Sequence, residues 1–150
     1  MITAKNVASY FIRKSSALDE NNDLTNLKLQ KMLYYAQAEY IKCHDEKRLF
    51  ADPISAWAYG PVVENVYDWL KGCGSFTISS FDVDLASDIM DEKIRIFLDG
   101  IWNKYSKYSA FFLVEQTHMK NSPWDVTINN GHGLNQVIPV DLIKAKAVLL

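Results

Sequence analysis

The side chains whose types and spacing suit chemistry are Cys73, His118, the Glu115-x-x-His118 pair and the carboxylates Asp82 and Asp84. A thiol nucleophile needs a base within hydrogen-bond reach and surroundings that stabilise the thiolate. Cys43 stands beside His44, but neighbouring helical residues point about 100° apart, so the two form no dyad and Cys43 reads as a core residue. Cys73 lies between two glycines at a helix end, where exposure is expected, and His118 is the distant histidine that would have to approach it. A hydrolase would therefore assemble Cys73, His118 and an acid from separate segments. Glu115 and His118 share one helical face, as in four-helix di-iron sites, yet such a site needs a second copy and two further glutamates; the sequence holds no second copy. Asp82 and Asp84, in a run read as extended, project to the same face and repel each other unless a cation intervenes, and their neighbours complete no calcium loop. No Cys-x-x-Cys or His-Glu-x-x-His occurs, and the six glycines open no strand-to-helix phosphate loop. The residues thus predict no catalytic group, no metal and no cofactor.

Hydrophobic residues make up 49% of the 150, aromatic residues 13% and charged residues 23%, the balance of a folded domain rather than of a disordered segment. A compact fold of this length buries roughly 70% of its unfolded surface. No staple is needed, and the two cysteines read as reduced thiols. The longest strongly apolar run, Ala110 to Val114, falls far short of the ~18 residues that span a bilayer, and Met1 to Asn6 lacks a signal-peptide core. A cytoplasmic protein without membrane contact is expected. Residues 51–100 hold three basic and nine acidic side chains, with Asp82, Asp84, Asp88, Asp91 and Glu92 clustered. Nucleic-acid modules carry a basic footprint instead, so the acidic run reads as a solvated lead into a helix.

Periodicity predicts a mainly α fold: a single compact multi-helix domain over residues 1–150 with a candidate short two-stranded β ribbon. The first helix runs from Thr3 to about Leu18 on Val7, Ala8, Phe11 and Ile12, and Asp19 to Asp23 is a connection. Thr25 or Asn26 caps a longer helix on Leu29, Met32, Leu33, Ala36 and Tyr40, with Lys28, Lys31 and Lys42 elsewhere around the cylinder. Ile54, Ala56 and Ala58 alternate with Ser55, Trp57 and Tyr59 as in a short strand. Gly60-Pro61 ends it, Pro61 taking the first position of a helix on Val62, Val63, Val66, Tyr67 and Leu70 that stops at Gly72-Cys73-Gly74. Phe76 to Phe81 reads as a second strand pairing with the first. Met90 to Tyr105 forms a long helix, Ser109 caps another through Thr117, Asn121 to Trp124 starts a turn, Asn129 to Gly133 is a loop, and Pro139 opens a last helix toward Leu150.

Three segments stand out further: Leu27-Lys28-Leu29-Gln30-Lys31-Met32-Leu33-Tyr34-Tyr35-Ala36-Gln37, then Phe50-Ala51-Asp52-Pro53-Ile54-Ser55-Ala56-Trp57-Ala58-Tyr59-Gly60-Pro61-Val62-Val63, then His118 with Ser122-Pro123-Trp124. In this order they resemble the Panacea domain family, the SocA-like antitoxins that include phage-associated proteins of the GepA type, over about residues 24–124. The resemblance implies a mainly helical intracellular domain of bacteria, phages and prophages, encoded beside a toxin that it neutralises. Partners differ widely across that family.

Most motif positions read first as structure. Leu29, Met32, Leu33 and Ala36 look like core, with Gln30 and Tyr34 on neighbouring faces, and Lys31 has the reach to satisfy a carboxylate or a carbonyl of the Trp57 to Pro61 segment. Gly60 suits a conformation that other residues resist and Pro61 fixes a helix start, so this segment sets a rigid corner. His118, ending a helix, can donate to the turn that follows, with Pro123 and Trp124 packed over it. Trp57, Tyr59, Trp69 and Trp102 are the candidate anchors for a partner, and Asp82 and Asp84 the charges that would steer a basic toxin. Occlusion of the cognate toxin by direct binding is the simplest mechanism. Delivery to a cellular protease is a second, in which the apolar tail Ala145 to Leu150 is an exposed end rather than a helix docked on the core. An operon repressor is the alternative from another class, a homodimer whose helix-turn-helix uses Lys28 and Lys31; a Cys73-dependent hydrolase comes third.

Overall fold

A computed structural model describes residues 1–18, 22–45 and 47–150; the first three residues of the predicted Asp19 to Asp23 connection lie outside the described residues. The fold is mainly α, with helices α1 (Ala4–Ser16), α2 (Asn26–Cys43), α3 (Glu64–Leu70), α4 (Glu92–Tyr105), α5 (Ala110–Thr117), α6 (Pro123–Ile128) and α7 (Val140–Lys146), and a ribbon of β1 (Ser55–Trp57) and β2 (Gly60–Val62). Thr3 and Asn6 close a capping box at the start of α1, and Val7, Ala8, Phe11 and Ile12 form its buried face. The Thr25 hydroxyl caps α2 by accepting from the Lys28 N–H at 3.2 Å.

Helix α2 is the axis of the molecule. It packs against α1, α3, α4, α5, α7 and β2, and every residue from Lys28 to Ala38 is buried. The one-sided stripe expected from Leu29, Met32, Leu33 and Ala36 is therefore too narrow, because neighbours surround the helix and its polar residues go inside as well. A buried polar group left unpaired costs about 1–3 kcal/mol, and each of these side chains finds a partner in a loop. The Lys28 ammonium meets the Asp23 carboxylate at 2.9 Å and the Ser106 carbonyl at 2.6 Å. The Gln37 amide accepts from the N–H groups of Leu49 and Phe50 and donates to the Phe50 carbonyl. A helix whose Lys28 and Lys31 are enclosed offers neither to a phosphate backbone, which removes the helix-turn-helix that needed them.

The ribbon exists, but its second strand is not the predicted one. Ala56 pairs with Pro61 and Trp57 with Gly60 across a turn at Ala58 and Tyr59. Pro61 thus sits inside β2 rather than at a helix start; α3 begins three residues later, with Val63 as its N-cap. The segment expected to pair, Phe76 to Phe81, makes no ladder. Its backbone bonds go elsewhere: the Ile78 N–H to the Leu24 carbonyl and the Ser80 N–H to the Ser16 hydroxyl, while Phe76 and Phe81 stay exposed. A two-stranded ribbon is marginal alone, and here residues 135–138 run along the free side of β1, exchanging bonds with Ala56 and Ile54 at 2.8 Å.

The acidic run behaves as a helix lead. Asp91 caps α4 by accepting from the Lys93 and Ile94 N–H groups, and Asp88 pairs with Arg13 at 3.1 Å. Asp82 lies in a turn, not an extended run, and accepts from the Ser79 N–H. The predicted turn at Asn121 to Trp124 is in fact the start of α6, with Ser122 as N-cap and Pro123 in its first turn. The C-terminal tail leaves α7 at Lys146 and docks on the core through buried Ala147 and a bond from the Leu150 N–H to the Tyr105 hydroxyl. Among the described residues no helix is long and apolar enough to cross a membrane.

Candidate functional site

The three family-motif segments converge on the β1–β2 hairpin. From α2, the Gln30 side chain accepts from the Val63 N–H at 2.8 Å and donates to the Asn26 side-chain oxygen at 3.0 Å. From the next residue, the Lys31 ammonium donates to the Pro61 carbonyl at 3.1 Å, the carbonyl option of the two expected for it. That lysine is fully buried, and burial pulls its pKa from the ordinary 10.5 down to about 7. From the opposite side, the Trp124 indole N–H donates to the Trp57 carbonyl at 2.7 Å. Ser122 fixes that corner by accepting from the Asp125 N–H and donating to the Thr117 carbonyl.

Gly60 explains how the hairpin fits between these clamps. Its φ of +107° lies in the region that side chains resist, and a Cβ there would stand 2.9 Å from both the Lys31 Cε and the Thr117 Oγ1. Ala58 and Tyr59 keep ordinary φ, so the reversal of the chain falls on Gly60. His118 caps the end of α5 and stacks on Trp124 with ring centroids 3.9 Å apart, as expected of their packing. Its Nε2 is buried with no hydrogen-bond partner among the described residues, so the expected donation to the following turn is not made. Burial holds the His118 pKa below its ordinary value, and the nearby Lys31 charge lowers it further.

In front of the clamps lies a mostly apolar cleft of about 750 Å³, walled by Trp57, Tyr59 and Tyr67, floored by Asn26, Gln30 and Lys31, and rimmed by Leu27, Lys71 and Leu134. Trp57 meets Tyr67 edge to face at 4.9 Å. Tyr59, at the hairpin tip, is 73% exposed. Sequence reasoning found Trp57 and Tyr59 but placed Tyr67 in a core stripe and passed over Leu27, Lys71 and Leu134. The exposure of Tyr67 beside Asp68 carries no sequence signal, and Leu134 arrives only because residues 135–138 bind β1.

The remaining candidates lie apart from this cleft. Trp102 packs on Phe11 with centroids 6.0 Å apart, and Trp69 is half-buried with the Lys5 ammonium 4.6 Å from its ring. Asp82 lines a second groove with Trp69, Cys73 and Phe76, while Asp84 is exposed on the same loop. Cys43 is exposed at the end of α2, not in the core, because the helix runs past the body it packs on. Burial, and then Asp82, push the Cys73 thiol up, the opposite of an activated thiolate. Its proposed base, His118, is committed to Trp124. No group of three or more His, Cys, Asp or Glu among the described residues could hold a metal ion.

The Gln30 clamp gives a direct test of how the hairpin is held. Gln30→Leu leaves the Val63 N–H without its acceptor in a dry setting and is expected to lower the unfolding free energy by about 2 kcal/mol. Urea denaturation measures it, and a loss within error would mean that the bond does not hold β2.

The model of the family described as antitoxin SocA-like, Panacea domain, matches residues 29–125, a span that begins on α2 and ends two residues past Pro123. Antitoxin SocA of Caulobacter vibrioides (strain NA1000 / CB15N) is 31% identical over 144 residues, covering 89% of this chain and 74% of that protein. No solved structure gives a significant match. With its three motif segments gathered on one hairpin and both matches spanning them, the chain belongs to the SocA-like antitoxin, Panacea domain family.

Proposed function

We propose that this protein neutralises a co-encoded toxin by direct binding, and that the face it presents is the cleft around Trp57 and Tyr59. The observation that carries this reading is an exposed aromatic on a fixed support. Tyr59 is 73% exposed, yet the hairpin beneath it is tied by Gln30, Lys31 and Trp124. Interfaces draw most of their energy from a few aromatic or arginine anchors, and an anchor that is already ordered loses little entropy on binding. Family membership and the relative's name, antitoxin, support the role. Trp102, committed to Phe11, Trp69 and Asp82, which line the second groove, and Asp84 on the loop beside it are left out of this face.

The test is co-expression with the product of the adjacent open reading frame, followed by growth and co-purification. The wild-type chain is expected to restore growth and to co-purify. Tyr59→Ala, at a 73% exposed position outside the hydrophobic core and so compatible with the fold, is expected to weaken the complex by about 30-fold, on the scale of a hot spot of ~2 kcal/mol. A folded Tyr59→Ala protein that binds as tightly as wild type would remove the cleft from the interface. Absence of rescue by the wild type would remove the antitoxin role itself. Toxin levels that fall while growth recovers would replace occlusion by delivery to a cellular protease.

A further inference from the structure

The cleft is unbalanced in charge. Although the chain as a whole carries 18 acidic and 16 basic side chains, the charged residues lining the cleft among the described residues are Lys31 and Lys71, with no described Asp or Glu beside them. Lys71 stands exposed at the rim in the turn that follows α3. Lys31 lies buried in the floor, so Lys71 is the cation that a partner meets directly.

The walls are apolar, built of Trp57, Tyr67, Val62 and Leu27. A cleft with apolar walls whose charged lining, among the described residues, is only basic is complementary to an apolar surface that brings its own negative charge.

We infer that the cleft takes an apolar segment of a partner protein that carries acidic side chains, its hydrophobic residues lying against Trp57, Tyr67 and Leu27 and a carboxylate facing Lys71. A protein segment fits better than a small organic acid because the rim is built of exposed Tyr59, Leu27 and Leu134, apolar side chains that a small anion would leave uncovered. The assignment rests on the binding role proposed above and adds the chemistry of what binds.

A random 12-residue peptide library displayed on phage, panned against the full chain, tests this without knowledge of the toxin. The wild type is expected to enrich peptides that combine aliphatic or aromatic residues with Asp or Glu. Lys71→Glu, a change at an exposed site, is expected to abolish the acidic preference and to weaken a selected acidic peptide by about tenfold, the sum of one lost attraction and one new repulsion at ~1 kcal/mol or less each. Tyr59→Ala is expected to enrich none of the same sequences, and binding of the selected peptide is expected to weaken with added salt. Enrichment of neutral or basic peptides, an unchanged preference in Lys71→Glu, or no enrichment over an unrelated protein would each overturn the inference. Because the panning uses this chain alone, such an outcome beside normal toxin rescue would leave the antitoxin role standing and remove only the acidic partner. Acidic selection without rescue would do the reverse.

Discussion

Gly60→Ala is expected to lower the unfolding free energy by about 3 kcal/mol or more, through two separate effects. The backbone effect comes from a φ of +107°, well outside the small left-handed region that residues with a Cβ tolerate, and such conformations cost of order 1–3 kcal/mol. The steric effect comes from the Cβ itself, 2.9 Å from the Lys31 Cε and the Thr117 Oγ1. Neither neighbour withdraws easily. Lys31 is buried and bonded to the Pro61 carbonyl, and the Thr117 hydroxyl donates to the Val114 carbonyl at 2.8 Å. Overpacking of a closed site typically costs a further 1–3 kcal/mol.

Urea denaturation of three variants separates the two effects. Gly60→Ala combined with Thr117→Ala should recover part of the steric cost and none of the backbone cost, a coupling that a double-mutant cycle reads. Gly100→Ala is the control, since Gly100 lies inside α4 with nothing within 4 Å of its would-be Cβ. There alanine is expected to stabilise by about 0.5–1 kcal/mol. A Gly60→Ala protein as stable as wild type would mean that the hairpin does not need its glycine.

The same residues show what was legible in the sequence and why. Gly60 reads correctly because glycine has one conspicuous use, positive φ, and Lys31 reads correctly because a long stem reaches a carbonyl whether or not its surroundings are known. Pro61 misleads because a fixed φ near −65° suits an extended segment as well as a helix start. The ring cannot donate to a ladder, but in so short a strand the lost bond matters little, and its carbonyl goes to Lys31. The hairpin itself is nearly silent, since Ala58 and Tyr59 carry none of the Asn-Gly or Asp-Gly signals of tight two-residue turns. Phe76, Ile78 and Thr77 look like a strand by composition, and it is the Leu24 carbonyl, the Asn22 side chain and the Ser16 hydroxyl of α1 that decide where this backbone bonds instead. At α6 the signal was present and underused: Ser122 followed by Pro123 is a helix start by capping and by the fit of proline to the first turn.

Helix α2 carries the larger lesson. Periodicity locates an apolar face, but whether the other faces meet solvent depends on how many elements gather round, and five helices and a strand reach this one. Lys28, Gln30, Lys31 and Gln37 then become internal clamps, each fixing a loop that the hydrophobic pattern leaves free. The cleft depends on that arrangement, so of its lining only Trp57 and Tyr59 were legible as partner contacts, with Gln30 and Lys31 legible as structural residues of the same family motif.

Lys31 should therefore be visible in the pH dependence of stability. Its pKa is about 7 in the folded protein against the ordinary 10.5, so between those values the unfolded chain binds a proton that the folded chain does not. Unfolding free energy then rises with pH across that window. From pH 7 to about pH 9.5 the gain from this group is expected to be on the order of 3 kcal/mol. Above about pH 10 the trend reverses, because Tyr34, Tyr35 and Tyr105 are raised by burial and the folded state keeps protons that the unfolded state releases. Lys31→Met keeps most of the stem and removes the titration, so its stability should no longer rise between pH 7 and 9.5 and should fall toward the upper end, where the raised Cys73 thiol keeps a proton that the unfolded chain releases. Loss of the bond to Pro61 shifts that curve by a constant and leaves the slope untouched, which is why the slope is the quantity to measure. Removal of the charge also predicts that the His118 pKa, followed by NMR, moves up in Lys31→Met while staying below its ordinary value, since burial is the larger of its two causes. Lys31→Arg supplies the opposite case: a guanidinium cannot shed its proton in this range, so that variant should be destabilised at every pH and show no recovery toward pH 9.5. A wild-type slope that persists in Lys31→Met would place the titrating group elsewhere and leave the enclosed ammonium without a role in the stability of the hairpin.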